Sequence, residues 1–325
     1  CYTPPGGNLV TSILKRLRKK NTQPPETSST PEVTKTAPLS PESIDGEDTR
    51  PIDPHIIVPG SLTRRKLDLP QFIVGCGHSS GKLRDHNEDA LFTLTTNIIC
   101  DSTQLPFGLY IIADGMGGHQ YGEIASSVSV RTIANYVIRK LYMQFLGVSN
   151  EHSDESLQEI MQASILEAHR SILRDAKGGG TTLTAALLLG RQMTITHVGD
   201  SRAYIVHSDG KMQILTHDHS LVKRLEELGH ITAEEAATHP QRNVLYRALG
   251  QGEPIEPDIS TFPMPTAGYL LICSDGLWGV IPEREIFNVV ATSPDPQQAC
   301  QILVDTANAA GGPDNISIII VRMPD

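Results

Sequence analysis

Two apolar runs in this chain each end in Asp-Gly. Asp114-Gly115 ends the first run, and Asp275-Gly276 ends the second. An uninterrupted apolar run bounded by such residues is typical of a buried strand. A charge at the end of a buried strand is costly unless it faces water, a cation or a ligand. The pattern therefore predicts two neighbouring strands that deliver carboxylates to one shared site.

Three further segments combine carboxylates with glycines or with the ends of predicted strands. They are Arg84–Asp89 (RDHNED), Val198–Arg202 (VGDSR) and Gly311–Ser317 (GGPDNIS). Several aspartates that converge without cations repel one another strongly. Hard divalent cations relieve that repulsion, and a shell made only of oxygen ligands favours Mg²⁺ or Mn²⁺ over Zn²⁺. The sequence therefore predicts a magnesium or manganese centre.

Taken singly, Asp-Gly is typical of an ordinary turn, but the ordered set of segments is more specific. Over about residues 71–323 it resembles the type-2C, metal-dependent family of protein Ser/Thr phosphatases (PPM). The segments Gly179–Thr182 (GGTT) and Thr216–Ser220 (THDHS) are also family-like, and Asp114–His119 (DGMGGH) is similar to the bacterial branch. The resemblance implies an α+β fold, a four-layer α/β/β/α sandwich of two antiparallel sheets flanked by helices.

The family's activity implies hydrolysis of phosphoserine and phosphothreonine in proteins by a water that a binuclear metal centre activates. It implies two Mn²⁺ or Mg²⁺ ions, with a third, weaker site, and a role that opposes a Ser/Thr kinase. A catalytically inactive phosphatase-like signalling or binding module is the alternative. Inactive relatives usually lose a metal carboxylate, whereas Asp114, Asp275 and Asp314 are all present here.

The resemblance also implies a metal-ligand set. By position, Asp114 would bridge both ions, and the Gly115 carbonyl would bind one of them. Asp275 and Asp314 would complete the first metal site, whereas Gly276 would mainly turn the chain.

The remaining ligands and the phosphate-binding residue follow from the same resemblance. Glu88 would hold the second ion through water, and Asp89 would bind directly or support a ligand from behind. Asp200 matches a carboxylate that helps to bind a third metal in bacterial relatives. Arg84 matches the arginine that grips the substrate phosphate, and its planar fork can meet two phosphate oxygens. Arg84, Asp114 and Asp275 are the catalytic set.

One position departs from the animal members of the family, which place a histidine directly after Asp-Gly as the proposed acid for the leaving group. Met116 stands there, as in bacterial-type relatives, and His119 follows three residues later. The acid stays open between His119 and a metal-bound water. His217 and His219 have no third ligand near them in the sequence, which favours a hydrogen-bonded loop over a metal site. Trp278 is interpreted as a core anchor.

The elements that position these residues can be predicted from apolar spacing. The strands are expected over Phe72–Gly77, Ala90–Ile99, Phe107–Ala113, Thr181–Leu189, Met193–Val198, Ala203–His207, Met212–Leu215, Tyr269–Cys273 and Ile316–Val321. The helices are expected over Glu123–Phe145, Glu155–Ala176, Leu221–Leu228, Thr232–Ala237, a helix opened by Pro282, and Pro296–Ala310. Strands come in runs and helices in pairs, which is typical of an α+β fold.

Composition divides the chain into two parts. Residues 1–70 form a Pro/Ser/Thr-rich extension that is predicted to be disordered, with a short basic segment at Leu9–Lys20. Residues 71–325 form the predicted phosphatase domain, and the polar stretch 217–257 matches a flap-like insert. Residues 1–70 carry 10 basic and 8 acidic side chains, whereas the rest carries 17 basic and 29 acidic ones.

Net charge, cysteine spacing and the length of the apolar runs restrict which partners and which compartment are expected. A net charge of −10 argues against general nucleic-acid binding. The five cysteines are scattered without CxxC spacing, which favours reduced thiols in a cytoplasmic protein. No apolar run is long enough to span a membrane, so membrane contact is expected only through the basic segment. The expected partners are phosphorylated proteins, including a Ser/Thr kinase or its substrates, and the expected state is a monomer.

Overall fold

The computed structural model describes residues 71–100, 103–117, 120–146, 155–252 and 254–324. The predictions made for residues 1–70, including the basic segment, lie outside the described residues. None of the helices in the described ranges combines the length and apolar character that crossing a bilayer requires.

Twelve strands are found in the described part of the chain. They are β1 (Ile73–Ser79), β2 (Ala90–Cys100), β3 (Thr103–Ala113), β4 (Gly115–Met116), β5 (Gly180–Thr181), β6 (Leu183–Leu189), β7 (Gln192–Val198), β8 (Arg202–Val206), β9 (Met212–Ile214), β10 (Asp258–Pro263), β11 (Tyr269–Cys273) and β12 (Ile316–Arg322). One five-stranded sheet has the order β1-β12-β11-β8-β9, and the other has the order β10-β7-β6-β3-β2. All pairs are antiparallel, and β4 and β5 form a separate two-stranded ribbon.

Eight helices are found in the described part of the chain, and two of them cover the outer face of each five-stranded sheet. They are α1 (Gln120–Val137), α2 (Met143–Phe145), α3 (Leu157–Asp175), α4 (Leu221–Glu227), α5 (Ala233–Thr238), α6 (Asp275–Trp278), α7 (Glu283–Thr292) and α8 (Pro296–Ala309). A π-helical turn, Ile138–Tyr142, joins α1 to α2. Helix α3 begins with a capping box between Ser156 and Glu159, so two backbone donors at its start are satisfied.

Three apolar clusters give the molecule four layers. Side chains such as Tyr110 and Ile272 pack between the two sheets. Leu109 and Ile111, which alternate with Tyr110, face α1 and α3, and Leu271 faces α7 and α8. Because both of its faces are covered, an inner strand such as β11 is apolar throughout instead of alternating with polar residues. The predicted four-layer α/β/β/α sandwich is confirmed.

Several predicted elements differ from the structure. Strand β10 was not predicted, because it is a largely exposed edge strand with little apolar signal. The expected strand Thr181–Leu189 is broken at Thr182, whose backbone turns to bind Asp114. The expected single helix Glu123–Phe145 changes to π-helical geometry after Val137. Asp275, expected at the end of a strand, lies in the first turn of α6, which follows β11 after Ser274.

Strand β1 packs so closely on α8 that it requires glycine. A Cβ on Gly75 would lie 2.2 Å from the backbone carbon of Pro296. On Gly77, which faces the same helix, the nearest atom would be a Val304 methyl at 2.7 Å. A methyl can move aside more readily than backbone.

We expect Gly75→Ala to lower the free energy of unfolding by about 1–3 kcal/mol, the usual cost of overpacking, and Gly77→Ala to lower it by less. Urea unfolding measured by circular dichroism would compare the two variants. Equal losses would contradict the close backbone contact between β1 and α8.

Candidate active site

The predicted acidic residues meet in one cavity of about 310 Å³. The register of the strands explains this convergence: β2 starts opposite the end of β3, and β8 starts opposite the end of β11. The corresponding ends of both sheets therefore open onto the same space. The predicted residues that line it are Arg84, Glu88, Asp114, Gly115, Asp200, Asp275 and Asp314. Asp89 does not line the cavity but is buried next to it, 7% exposed.

Asp114 is held through its backbone. Its N–H donates to Thr182 Oγ1 at 3.0 Å, and its carbonyl accepts from the Thr182 N–H at 2.9 Å. The Thr181 hydroxyl donates to the same carbonyl at 2.8 Å. These contacts fix the backbone of Asp114 at the end of β3. The carboxylate oxygens of Asp114 take no part in them and face the cavity.

Asp275 follows the buried Ser274, which connects three segments. The Ser274 hydroxyl donates to Asp89 Oδ2 at 2.9 Å and accepts from the Ser317 N–H at 2.9 Å. In this way β11, β12 and the segment before β2 are tied together directly behind the cavity. The sequence places Thr182 only within the family-like GGTT segment and does not single out Ser274, because the roles of both residues depend on contacts with residues far away in the chain.

The glycine after Asp275 has a role that differs from the expected one. Gly276 was expected to turn the chain, but it lies in α6 and allows a close approach. A Cβ on Gly276 would lie 2.0 Å from the carbonyl oxygen of Asn315. Gly115 is similar, since its Cβ would lie 2.4 Å from the Gly122 carbonyl oxygen. Both Asp-Gly pairs therefore use glycine for close packing around the cavity.

Asp314 is the partner of the predicted phosphate-binding arginine. Arg84 Nη2 donates to Asp314 Oδ2 at 2.7 Å, and the Asn315 N–H donates to Asp314 Oδ1 at 2.8 Å. The Asn315 side chain also accepts from the Glu88 N–H at 2.8 Å and donates to the His86 carbonyl at 3.0 Å. Asn315 thus fixes the Arg84–Asp89 segment relative to Asp314.

Glu88 lies against the start of α1. The Ser126 hydroxyl donates to its carbonyl at 2.5 Å. A Cβ on Gly122 would lie only 2.1 Å from Glu88 Oε2. Gly122 is therefore a supporting residue that sequence patterns did not reveal, because a glycine inside a helix gives no chemical signal of its own.

The carboxylates carry strongly shifted pKa values. Burial, followed by repulsion from neighbouring carboxylates, raises the pKa values of Asp114 and Asp200 well above their usual range. Burial raises the pKa of Asp89 to about 7, although hydrogen bonds from Ser317 and Ser274 oppose that shift. Burial and the nearby Asp314 raise the pKa of Asp275 to about 6. The cavity therefore brings together carboxyl groups that resist ionisation beside one another unless a cation compensates their charge.

This donor set fits hard divalent cations. Asp89 Oδ1 and Asp275 Oδ1 are buried and have no hydrogen-bond partner in the described part of the protein. Buried polar atoms normally have partners, and a cation is the partner that carboxylate oxygens accept best in a crowded acidic site. Ligands that are all oxygen favour Mg²⁺ or Mn²⁺.

The remaining predicted residues lie around this cavity or outside the described part of the chain. Met116 lines the cavity and pairs with Gly180. His86 lines the rim and is exposed. His119 lies outside the described residues. Trp278 is half-buried, but its indole N–H donates to the Asp200 carbonyl at 3.1 Å, so it supports the site as well as packing.

The two histidines of the THDHS segment acquire a third neighbour that sequence spacing could not show. Ring nitrogens of His217 and His219 and a carboxylate oxygen of Asp258, on β10, lie within 4.8 Å of one another. However, Arg247 Nη1 lies 3.1 Å from His219 Nε2 and 2.9 Å from Asp258 Oδ1. A guanidinium at that position repels a metal ion, so the hydrogen-bonded interpretation of this loop is retained.

The comparisons with known proteins agree with this geometry. The model of the family described as Protein phosphatase 2C matches residues 74–316. This chain belongs to the protein phosphatase 2C family.

The named relatives are protein phosphatases of bacteria. A serine/threonine phosphatase, stp, of Listeria innocua is 35% identical over 242 residues, which cover 74% of this chain and 92% of that protein. Protein phosphatase PhpP of Streptococcus pneumoniae is 36% identical over 225 residues, covering 66% of this chain and 85% of the relative. This protein phosphatase 2C is therefore a protein serine/threonine phosphatase.

Solved structures confirm the fold of this phosphatase. The serine/threonine phosphatase of S. agalactiae superposes with a TM-score of 0.67 at 33% identity and covers 78% of this chain and 99% of that one. The catalytic domain of the phosphatase PstP, in complex with two manganese ions, superposes with a TM-score of 0.64 at 27% identity, over 79% of this chain and 100% of its own. The family is metal-dependent.

The close approach of Gly276 to Asn315 generates a prediction about metal affinity. We expect Gly276→Ala to weaken Mn²⁺ binding by about tenfold, because the added methyl pushes Asn315, and with it Asp314, away from Asp275. Isothermal titration calorimetry of the metal-stripped protein would measure this.

Gly77→Ala is the matched control, because it adds the same methyl at a closely packed glycine of β1 that does not line the cavity, and its Mn²⁺ affinity should not change. A folded Gly276→Ala protein that binds Mn²⁺ as the unsubstituted protein does would contradict the assigned role of Gly276.

Proposed function

We propose that this phosphatase hydrolyses phosphoserine and phosphothreonine in proteins with the help of two Mg²⁺ or Mn²⁺ ions, and that it opposes a Ser/Thr kinase. The observation that carries the proposal is the convergence of the acidic side chains from both sheets in one cavity, where Asp275 Oδ1, and Asp89 Oδ1 beside it, are buried without a hydrogen-bond partner among the described residues. When bound, the ions would neutralise the phosphate and lower the pKa of a shared water, which makes that water a nucleophile at neutral pH.

The proposed ligand roles are those that the resemblance to the family implies, and all of the residues concerned line the cavity. Asp114 would contact both ions and Gly115 would offer its carbonyl, while Asp275 and Asp314 would complete one site. Glu88 would hold the second ion through water.

Two buried carboxylates complete the proposed ligand set. Asp89 would support it from behind, where Ser274 already binds one of its oxygens. Asp200, 7% exposed on the cavity wall, would hold a third and weaker ion.

Arg84 is placed to bind the phosphate. Its side chain is half exposed at the cavity rim, and its guanidinium is anchored to Asp314 by one nitrogen. A guanidinium has several N–H groups, so those not bound to Asp314 can donate hydrogen bonds to phosphate oxygens. Binding there would place the phosphorus beside the carboxylates that hold the ions, and the leaving oxygen toward the cavity mouth.

Substrate selection is proposed to involve the insert at 217–257. A second cavity of about 530 Å³ lies between the insert helices α4 and α5 and the start of α6, and Arg242 lines it. The two cavities share the lining residues Arg84, Asp200, Asn243, Asp275 and Asp314. A phosphorylated side chain is attached to a polypeptide, and this adjoining space is where the flanking residues can lie.

The alternative is a catalytically inactive binding module. The presence and convergence of Asp114, Asp275 and Asp314 favour the enzyme, since loss of any of them would remove a metal ligand. Failure of the metal-stripped protein to bind Mn²⁺ at millimolar concentration would favour the module.

We expect Asp275→Asn to reduce hydrolysis of a phosphothreonine peptide in Mn²⁺ by about 10²–10³-fold, because one ligand charge is lost and metal-based charge stabilisation is worth several kcal/mol. EDTA should abolish the activity of the unsubstituted protein. Phosphate release measures both effects.

The control variant is Asp305→Asn on the exposed face of α8, which should retain full activity. Activity that persists in EDTA, or undiminished activity in Asp275→Asn, would overturn the proposed metal-dependent reaction.

We expect Arg242→Ala to lower kcat/KM for a phosphothreonine peptide by about fivefold, equivalent to about 1 kcal/mol, because the peptide loses a contact outside the metal cavity. Hydrolysis of a small aryl phosphate, which cannot reach Arg242, should change little. Arg170→Ala, an exposed arginine of α3, is the control and should affect neither substrate. Equal losses on both substrates would reject a role for the insert in substrate selection.

A further inference from the structure

The loop that carries Asp200 is held on several sides. The Ser201 hydroxyl lies 2.6 Å from Thr182 Oγ1, and the Ser201 carbonyl accepts from the Thr184 hydroxyl at 2.8 Å. The Gly199 carbonyl accepts from the His219 N–H at 2.7 Å, and the Gly199 N–H donates to His219 Nδ1 at 3.1 Å. The residues on each side of Asp200 are therefore fixed by Thr182, by Thr184 of β6 and by His219 at the start of the insert.

Arg202 connects this loop to two other segments. Its Nε donates to Asp218 Oδ1 at 3.0 Å, and its Nη2 donates to Asp218 Oδ2 at 2.7 Å. The guanidinium carbon also lies 3.6 Å from the centre of the Trp278 ring. A paired hydrogen bond on one side and a stacked ring on another fix both the direction and the plane of the guanidinium. Lysine could reproduce neither contact fully.

The Arg202 contacts are well shielded from water. The Arg202 side chain is 18% exposed, and the Asp218 side chain is 8% exposed. An exposed ion pair contributes little to stability, but a shielded pair with this geometry leaves an uncompensated charge if one partner is removed. These contacts therefore have few alternative arrangements.

The stacked tryptophan completes the path to Asp200. Trp278 lies three residues after Asp275, in the same helix, and its indole N–H donates to the Asp200 carbonyl at 3.1 Å. The clamp consists of Asp218, Arg202 and Trp278. The clamp joins Asp218, near the start of the insert, to the Asp200 backbone and to the helix that begins at Asp275.

We propose that Arg202 is a positioning residue for the Asp200 carboxylate, and that through Asp218 it links this carboxylate to the insert. Arg202 is not assigned any contact with substrate or with the reacting atoms. It acts by holding Trp278, which holds the Asp200 backbone. The inference rests on the proposed cation site at Asp200, so its test measures cation binding separately from phosphatase activity.

The test is calorimetric titration of Mn²⁺ into metal-stripped protein. Trp278→Phe keeps a ring beneath Arg202 and removes only the N–H that binds the Asp200 carbonyl. Arg202→Lys keeps the charge and removes the paired geometry. We expect each variant to weaken the weakest Mn²⁺ step by about tenfold, the usual effect of losing a residue that orients a metal ligand, and to leave the tighter steps nearly unchanged.

Two further variants separate positioning from general destabilisation. Glu283→Gln is the control. Glu283 Oε1 lies 3.6 Å from Arg202 Nη1, but the Glu283 side chain is 51% exposed, so this substitution should leave all Mn²⁺ steps unchanged. In an Asp200→Asn background, Trp278→Phe should have no additional effect on Mn²⁺ binding, because the carboxylate it positions is absent. Circular dichroism would confirm that each variant is folded, and Trp278→Phe decides the test if Arg202→Lys does not fold.

The link to the insert has its own readout. Saturating Mn²⁺ should slow hydrogen–deuterium exchange in residues 217–245 of the unsubstituted protein, because coupling between two sites is reciprocal. Asp218→Asn, which cuts the clamp at the insert, should remove that slowing.

Different results would contradict the positioning role of Arg202, the link to the insert and the proposed function. Equal weakening of all Mn²⁺ steps, an unchanged weakest step, or an undiminished effect of Trp278→Phe in the Asp200→Asn background would overturn the positioning role. Exchange in the insert that ignores Mn²⁺ would overturn the link. No Mn²⁺ binding by the unsubstituted protein would overturn the proposed function, and this inference with it.

Discussion

The carboxylates of Asp114, Asp200 and Asp275 in the cavity, and that of Asp89 buried beside it, repel one another where burial has removed much of the solvating water. Their raised pKa values express that cost, since each group resists ionisation beside the others. A fold that places charges in this way must hold them against their own repulsion. The arrangement becomes favourable only when cations occupy the space between the oxygens.

The scaffold meets this constraint mostly through backbone contacts. Thr182 binds the N–H and the carbonyl of Asp114, and Trp278 binds the carbonyl of Asp200. These contacts fix where a side chain starts without using the carboxylate oxygens. Gly115 and Gly276 add close approaches that no larger residue permits. The antiparallel register of both sheets then brings the matching strand ends to one place.

Part of this arrangement could be predicted from local sequence. An apolar strand that ends in a carboxylate is visible in the sequence, and so Asp114 and Asp275 could be placed at a shared site before the fold was known. Resemblance to the family predicts Arg84 as the phosphate-binding residue, the remaining metal ligands and the four-layer sandwich.

Contacts between distant segments could not be predicted in the same way. Asp258 joins the THDHS segment only because the unpredicted edge strand β10 pairs with β7. Gly276 was assigned to a turn, although its function is to let Asn315 approach. Arg202 and Trp278 are 76 residues apart in the chain, and nothing in the local pattern of either predicts that they stack.

The central claim is that cations relieve the repulsion between buried carboxylates, and a pH series of the Mn²⁺-induced change in unfolding free energy tests it most directly. The folded protein raises the pKa of Asp275 to about 6 and that of Asp89 to about 7, above the ordinary value of 3.8. Without metal, these groups hold protons at about pH 5, and the folded state loses stability as they ionise toward about pH 7.5. Mn²⁺ replaces those protons, so its stabilising effect should grow steadily from about pH 5 to about pH 7.5. No stabilisation by Mn²⁺, or the same stabilisation at both pH values, would contradict the account.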